Sequence, residues 1–530
     1  MDPRRSPRIY PRMDNVYKTK TSLNFDMMRA KIYEDRQDHD TDKYVWIANI
    51  LVGFCCGFCA FMITYTEEKM LIWRIETAQA FLDGEGWTTL SSITFYVLSS
   101  MTFALLATLL TIFVGPGACG SGIAEIMGLL NGVNYPDVIG FKTFFVKMAG
   151  TVFAVVSGLA IGKEGPLAHI GANLGVIVSH IPLNSFRCLQ NDVVKRQLMS
   201  SGVSAGVSAA FGAPIGGALF SYEISKPNTF WTFSMIWRVF ICSSISTFTL
   251  SILTSLQIES PFSLSDQATL KFGKLNEEEN TLLDIPAALV IGAVCGVLGS
   301  LFIYVNVSLG VYRKKYINTK TKKILETVFF AFMTSTLFFL VTLSRKNECI
   351  EKPASYNDTT FRFYCPEGYY NPFASLVFNT EGGTIRQLLN FPVVFKDIND
   401  GASTVSTTNI LIFFLVWYLL TITTYGVWVP AGLFLPGIII GSSIGLLYLQ
   451  LMVVGLNLNI AQIGGQAYII IGAASMLAAY CRLTYSLSVI MLETTQAINN
   501  FLPVTLGILT SLVVSKVFNR SLYEYAIRAK

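Results

Sequence analysis

Glu164 stands in the run Gly162-Lys163-Glu164-Gly165-Pro166, directly before an apolar stretch at 165 to 180. Proline is pre-organised for the first turn of a helix, so the run predicts a helix start that carries a carboxylate. The free N–H groups and positive dipole end of such a start also bind inorganic anions. Carboxylate and anion would then compete for one place. The local run fits an ordinary acid at a membrane-surface helix start equally well, and its company decides between the two. Gly120-Ser121-Gly122 precedes a short apolar stretch at 121 to 130, and Gly432-Leu433-Phe434-Leu435-Pro436 opens a third. Three glycine-marked starts in one chain predict converging anion-binding N-termini.

Other residues of chemical interest read more plainly. His169 and His180 have no cysteine or acid at metal-ligand spacing, so they are read as packing or interfacial residues and no metal is expected. Glu125 and Glu493 are acids in apolar surroundings, which makes them functional candidates by default; for Glu493 the alternative is a brace at a helix junction. No catalytic pair or metal cluster is found, so an enzyme is not expected. Arg4, Arg5, Arg8 and Arg12 are read as a topogenic or sorting segment.

The elements that must position these residues follow from composition. Of 530 residues 52% are hydrophobic and only 14% charged, with a mean hydropathy of +0.51, against roughly 25% charged in an average soluble domain. The chain reads as an all-α polytopic membrane protein. The net charge of +5 is too small and dispersed to point to nucleic acid. Residues 1–44 hold ten Lys/Arg and eight Asp/Glu with no long apolar run, and read as a cytosolic tail, not a signal peptide. Apolar segments at about 45–64, 92–114, 143–161, 231–254, 285–310, 324–343, 409–425, 433–453 and 500–517 are the expected spans. Shorter stretches at 121–130, 165–180, 198–209, 214–224, 467–480 and 484–496 cannot span alone. Broken helices of this kind are tolerated at membrane depth where they line a polar pathway.

Arg313, Lys314, Lys315, Lys320, Lys322 and Lys323, with no acid among them, place their loop in the cytosol. One span later, 345–408 is the longest polar loop and should face the lumen or the outside. It holds Cys349 and Cys365, a disulfide candidate, and the glycosylation sequon at Asn357, both suited to an oxidising compartment. The sequons at Asn306 and Asn519 fall in or beside spans and are read as chance. Pro166, Gly171 and Gly175 recur as Pro436, Gly441 and Gly445 at an offset of 270, and Ala209-Ala210-Phe211 recurs as Ala478-Ala479-Tyr480 at 269. A duplicated chain with halves of about 45–255 and 285–518 is expected, and such duplications are often inverted.

The three glycine-marked motifs, in this order and spacing, resemble the anion-site signatures of the CLC chloride channel and chloride/proton exchanger family, from about residue 45 to the end. Ser208 to Ser221 and Phe363 to Asn371 look most like its lysosomal and late-endosomal branch. The resemblance implies a CLC-type inverted-repeat bundle of tilted and broken helices that transports chloride, with no cofactor. Ser121 would donate its hydroxyl to chloride, and serine there favours chloride over nitrate. Glu164 would be the gating glutamate. Gly122, Ile123, Gly165, Leu433 and Phe434 are carried over as anion-binding positions, and Tyr523 would supply a second hydroxyl at the inner end. The anion would be held by partial charges and neutral donors, with no fixed Lys or Arg at the site, so that release stays easy.

Three departures matter. Where proton-coupled members have two adjacent glutamates, this chain reads Glu223-Ile224. An apolar Ile224 should break the inner proton relay unless Glu223 or water replaces it, which leans the reading toward a voltage-gated or uncoupled chloride channel. The alternative is an electrogenic chloride/proton antiporter of endolysosomal membranes, and a second alternative is a non-conducting membrane adaptor. Ala124 replaces the usual proline after Gly-Ser-Gly-Ile, with a modest effect expected. The chain stops at Lys530, so no C-terminal CBS domains are expected and 45–530 is read as the whole transport domain. The expected partners are chloride, protons in the exchanger reading, a second copy of the chain in a homodimer and an accessory membrane subunit. The expected location is an endolysosomal membrane with a cytosolic N-terminus.

Overall fold

The computed structural model describes residues 39–83, 88–133, 135–182, 186, 189–225, 231–257, 282, 284–351, 360–380, 382–389, 406–455 and 465–529. Most of the expected tail and the Asn357 sequon lie outside the described residues. In chain order the longer helices are α1 (His39–Asp83), α2 (Thr88–Leu109), α3 (Ile123–Leu130), α4 (Phe141–Val156), α5 (Glu164–Ser179), α6 (Asp192–Phe211), α7 (Pro214–Ile224) and α8 (Phe233–Gln257). They continue with α9 (Asp284–Tyr316), α10 (Lys320–Ser344), α11 (Thr407–Thr424), α12 (Phe434–Gln450), α13 (Gly465–Cys481), α14 (Tyr485–Thr495), α15 (Phe501–Phe518) and α16 (Leu522–Ala529). Among the described residues the one sheet is the two-residue pair Ile350–Glu351 and Tyr369–Tyr370. Beside it Cys349 and Cys365 form a disulfide with their Cα atoms 5.7 Å apart. This loop and the basic hairpin at 313–323 lie at opposite ends of α10.

Eight helices among the described residues are long and apolar enough to cross a membrane: α1, α2, α8, α9, α10, α11, α12 and α15. Two expected spans differ from this. The segment 143–161 is the 16-residue α4 (Phe141–Val156), stopped where Gly158 turns the backbone left-handed at φ +77°. The segment 45–64 belongs to the 45-residue α1, whose second half carries two fully buried charges, Glu67 and Arg74, that tertiary contacts satisfy. Arg74, fully buried, donates from Nε to Ser99 Oγ at 3.1 Å, from Nη1 to the Val156 carbonyl at 2.6 Å and from Nη2 to the Tyr96 carbonyl at 3.1 Å. Its guanidinium also lies 4.0 Å above the Tyr96 ring. Glu67, equally buried, pairs with Lys163 at 2.9 Å.

Small residues let the short helices pack backbone to backbone. In α5 and α6 a Cβ on Gly171 would sit 2.8 Å from the Gly202 carbonyl carbon, and one on Gly202 2.6 Å from that of Gly171. The same mutual contact recurs 270 residues on, between Gly441 of α12 and Gly472 of α13. A second recurrence joins α7 and α14, which run antiparallel. Glu223, near the end of α7, accepts from the N–H of Thr484 at 2.9 Å and of Ser486 at 3.2 Å, and from both hydroxyls at 2.5 Å. Glu493, near the end of α14, accepts from the N–H of Ile215 at 3.2 Å and Gly216 at 2.8 Å. Each short helix therefore ends in the carboxylate that satisfies the free amides of the other.

Candidate functional site: a convergence of helix N-termini

The three motifs lie in separate parts of the chain, and backbone hydrogen bonds clamp them together. Gly120 N–H donates to the Val429 carbonyl at 3.0 Å and Ala431 N–H returns one to Gly120 at 3.1 Å. Gly162 and Gly432 exchange a pair of such bonds at 2.9 and 2.8 Å. The segments before α3, α5 and α12 are thus fixed side by side, and the first turns of the three helices leave from one place. Gly122, the residue before α3, takes the left-handed φ of +85°. A Cβ there would also run into the His169 ring, so this position needs glycine twice over. His169 itself has Nε2 3.0 Å from the Val138 carbonyl. A Cβ on Gly165 would lie 3.0 Å from Ser121 Cβ and 3.3 Å from Gly432 Cα. Residues 121, 165 and 432 therefore meet, one from each motif.

Glu164 is the first residue of α5 and only 1% exposed. Its carboxylate folds back over Gly162 and lies against Leu435, near that residue's backbone N–H. Neither carboxylate oxygen makes a hydrogen bond of ordinary geometry, although the N–H groups of Glu164 and Leu435 lie near enough to attract it. Burying a carboxylate without full compensation costs several kcal/mol, and helix N-termini return part of this, up to about 2 kcal/mol each. The acid occupies the position to which the free amides of α12 would draw an anion.

Of the remaining predicted positions, Ser121, Leu433, Phe434 and Tyr523 fall around the same point, and Glu223 and Ile224 are not shown to do so. Ser121 is buried, with Oγ 3.4 Å from the Ile123 N–H. Leu433 precedes α12 and Phe434 opens it; the Phe434 ring meets the edges of Phe211 and Phe220 at centroid distances of 5.8 and 5.9 Å. Tyr523, near the start of α16, is buried with its hydroxyl 3.4 Å from Cys481 Sγ. Ile224 is buried at the end of α7. Glu223 is not brought to this point by its hydrogen bonds, since its carboxylate is taken up by α14.

Four contributors were missed from the sequence. Lys147 of α4 is fully buried and donates to the carbonyls of Ala118 at 3.0 Å and Gly120 at 2.7 Å, which pins the segment before Ser121. Lys163, with its partner Glu67, stands beside Glu164. Two fixed lysines therefore border the site, contrary to the expectation of none, although each is aimed at carbonyl or carboxylate oxygens. Lys147 was detectable as a cation inside an expected span. Tyr425, whose hydroxyl lies close to Ser121, and Tyr480, whose hydroxyl donates to the Leu433 carbonyl at 2.8 Å, carried no such signal.

Broken helices whose N-termini converge on one buried point, inside a bundle of spanning helices, define an all-α polytopic membrane protein. The family model described as voltage gated chloride channel matches residues 103–516. The chain belongs to that family, the CLC family, and has its fold. It is 31% identical to H(+)/Cl(-) exchange transporter 7 of Mus musculus over 553 residues, covering 99% of this chain and 66% of that one. It is 28% identical to chloride channel protein C of Dictyostelium discoideum, covering 99% and 70%. Among solved structures, a slow cyanobacterial Cl-/H+ antiporter superposes with a TM-score of 0.71 at 18% identity, covering 92% of this chain and 97% of that one. The chain spans 66% of the length of the first of these relatives. These relatives are described as transporters and channels, not enzymes.

Proposed function

We propose that this chain carries chloride across a membrane through the point where α3, α5 and α12 begin, and that it does so in exchange for protons. The observation that carries the transport reading is the Glu164 carboxylate, buried with no side-chain partner and drawn only toward backbone N–H groups, at the N-terminal turns where an anion would sit. Ionised, it blocks the path. Protonated, it loses its attraction to the amides, and chloride takes its place among the Ser121 hydroxyl, the N–H groups at Gly122, Ile123, Gly165, Leu433 and Phe434, and the Tyr523 hydroxyl at the inner end. Such neutral donors bind an anion firmly enough for entry and loosely enough for release.

Support for proton exchange comes from the likeness to exchange transporter 7 along 99% of the chain, and it displaces the lean toward a channel drawn from Ile224. That residue still favours a second reading, uncoupled chloride conduction, because Glu223 is committed to α14 and does not supply the missing relay. The same likeness supports an endolysosomal membrane, and the basic loop at 313–323 supports a cytosolic N-terminus. A homodimer is supported by α7 and α14, each of 11 residues and too short to span, whose carboxylates Glu223 and Glu493 are only half-buried. At membrane depth a second copy covers them better than lipid does.

The test is the reversal potential of the purified chain in liposomes or planar bilayers, under a fixed chloride gradient, with and without a pH gradient. Exchange predicts a potential that moves with pH in the wild type and not in Glu164→Ala. A potential set by chloride alone establishes the uncoupled pathway. No chloride flux, with partner binding retained, leaves the adaptor. Light scattering on the same sample should give twice 58.5 kDa once detergent is subtracted.

A further inference from the structure

We propose that Tyr480 is a positioning residue of the anion site: by donating to the Leu433 carbonyl it holds the first turn of α12 and so sets which anions the site prefers. The inference rests on the proposed function only in taking the α12 N-terminus as anion-binding. Tyr480 lies near the end of α13 and is among the largest fully buried side chains of the protein. Its ring stacks on Phe302 with centroids 5.4 Å apart and planes at 29°. Its hydroxyl donates to the Leu433 carbonyl at 2.8 Å. That oxygen already accepts from the Gly437 N–H at 3.1 Å, the bond that starts α12. The phenol is therefore a second donor on the carbonyl from which the helix begins.

The fit is close. A Cβ on Gly437 would lie 2.7 Å from the Tyr480 Cζ and would overlap the hydroxyl, so glycine at 437 is what admits the phenol into the turn. Two effects follow for an anion at this N-terminus. A carbonyl oxygen held by two donors is turned away from the anion it would repel. The turn is also kept from rotating, so the N–H groups of Phe434 and Leu435 keep their aim. The Glu164 carboxylate lies against Leu435 in this turn, within electrostatic range of the Tyr480 hydroxyl. Phe211, the counterpart of Tyr480 in the repeated Ala-Ala-aromatic run, meets the Phe434 ring of α12 edge-on at 5.8 Å and carries no hydroxyl. The hydroxyl is thus the polar element that one copy of the run has and the other lacks.

The experiment compares wild type with Tyr480→Phe, which keeps the ring stack and removes one donor, in the full chain. Chloride and nitrate affinities are read by equilibrium binding to the detergent-solubilised protein, and permeability ratios in liposomes. Tyr480→Phe should weaken chloride binding roughly 2- to 10-fold, the worth of one net hydrogen bond, and narrow the preference for chloride over nitrate by a similar factor. Incorporating 3,5-difluorotyrosine at 480, whose hydroxyl is a stronger donor, should move both in the opposite direction. A purely structural role would lower thermal stability and leave the chloride/nitrate ratio alone, and that result overturns the inference. If the wild type binds no chloride, the proposed function fails and the inference with it. If the wild type binds chloride and both replacements match it, the inference alone fails. Should Tyr480→Phe not fold, the fluorinated protein decides by the sign of its shift.

Discussion

At the scale of single residues, the site is made by atoms that are missing as much as by those present. A methyl group on Gly165 would press on Ser121 Cβ at 3.0 Å and Gly432 Cα at 3.3 Å, so these neighbours must give by a few tenths of an ångström, and neither is the far end of a flexible side chain. Gly165→Ala should therefore spread the motifs apart and weaken chloride binding by about tenfold, roughly the 1–3 kcal/mol that overpacking costs; equilibrium binding measures it. Ile224→Glu tests the opposite kind of change. It places a carboxylate where 1% of the side chain is exposed, and an uncompensated buried carboxylate favours its neutral form. If the pathway is uncoupled for want of a titratable group there, this variant should gain a pH-dependent reversal potential, at the expense of a lower unfolding temperature.

At the scale of elements, the helix starts were legible because glycine and proline mark them by local chemistry: Gly122 must take a positive φ, and Pro166 and Pro436 fit a first turn. The extent of α1 was not, because its charges contradict a span until their partners are known. Glu67 finds Lys163 and Arg74 finds Ser99, Tyr96 and Val156, all distant in the chain. Arg74→Lys keeps the charge and loses the fork that reaches three acceptors on two other segments. The expected loss is about 1–3 kcal/mol, seen as a lower unfolding temperature in detergent. The pairing of α7 with α14 was equally hidden, since Glu223 meets its partners 261 and 263 residues away. Glu223→Gln and Glu493→Gln should each destabilise the chain by about 1.5–3 kcal/mol through lost charge-assisted bonds. In the double variant the two losses should fall short of their sum, because both act on one helix pair; thermal unfolding of the four proteins gives the coupling.

At the scale of the whole molecule, the offset of 270 residues noticed in proline and glycine spacing is also the offset of contacts, Gly171 with Gly202 and Gly441 with Gly472. Sequence spacing could reach this far because small residues are required wherever two backbones touch. It could not assign a role to Lys163, Tyr425 or Tyr480, whose value lies in partners that only the folded chain supplies. The reciprocal helix caps have a consequence for how the protein is made. A ribosome adding 5–20 residues per second places Glu223 in the membrane roughly 13–50 seconds before Thr484 exists, given the 261 residues between them. For that interval the Ile215 and Gly216 amides lack Glu493, and the Glu223 carboxylate lacks Thr484 and Ser486. Nascent chains arrested after α8 should accordingly be held by membrane chaperones or degraded, and should become protease-resistant only when the segment from α9 onward is supplied, in the same chain or as a separate one.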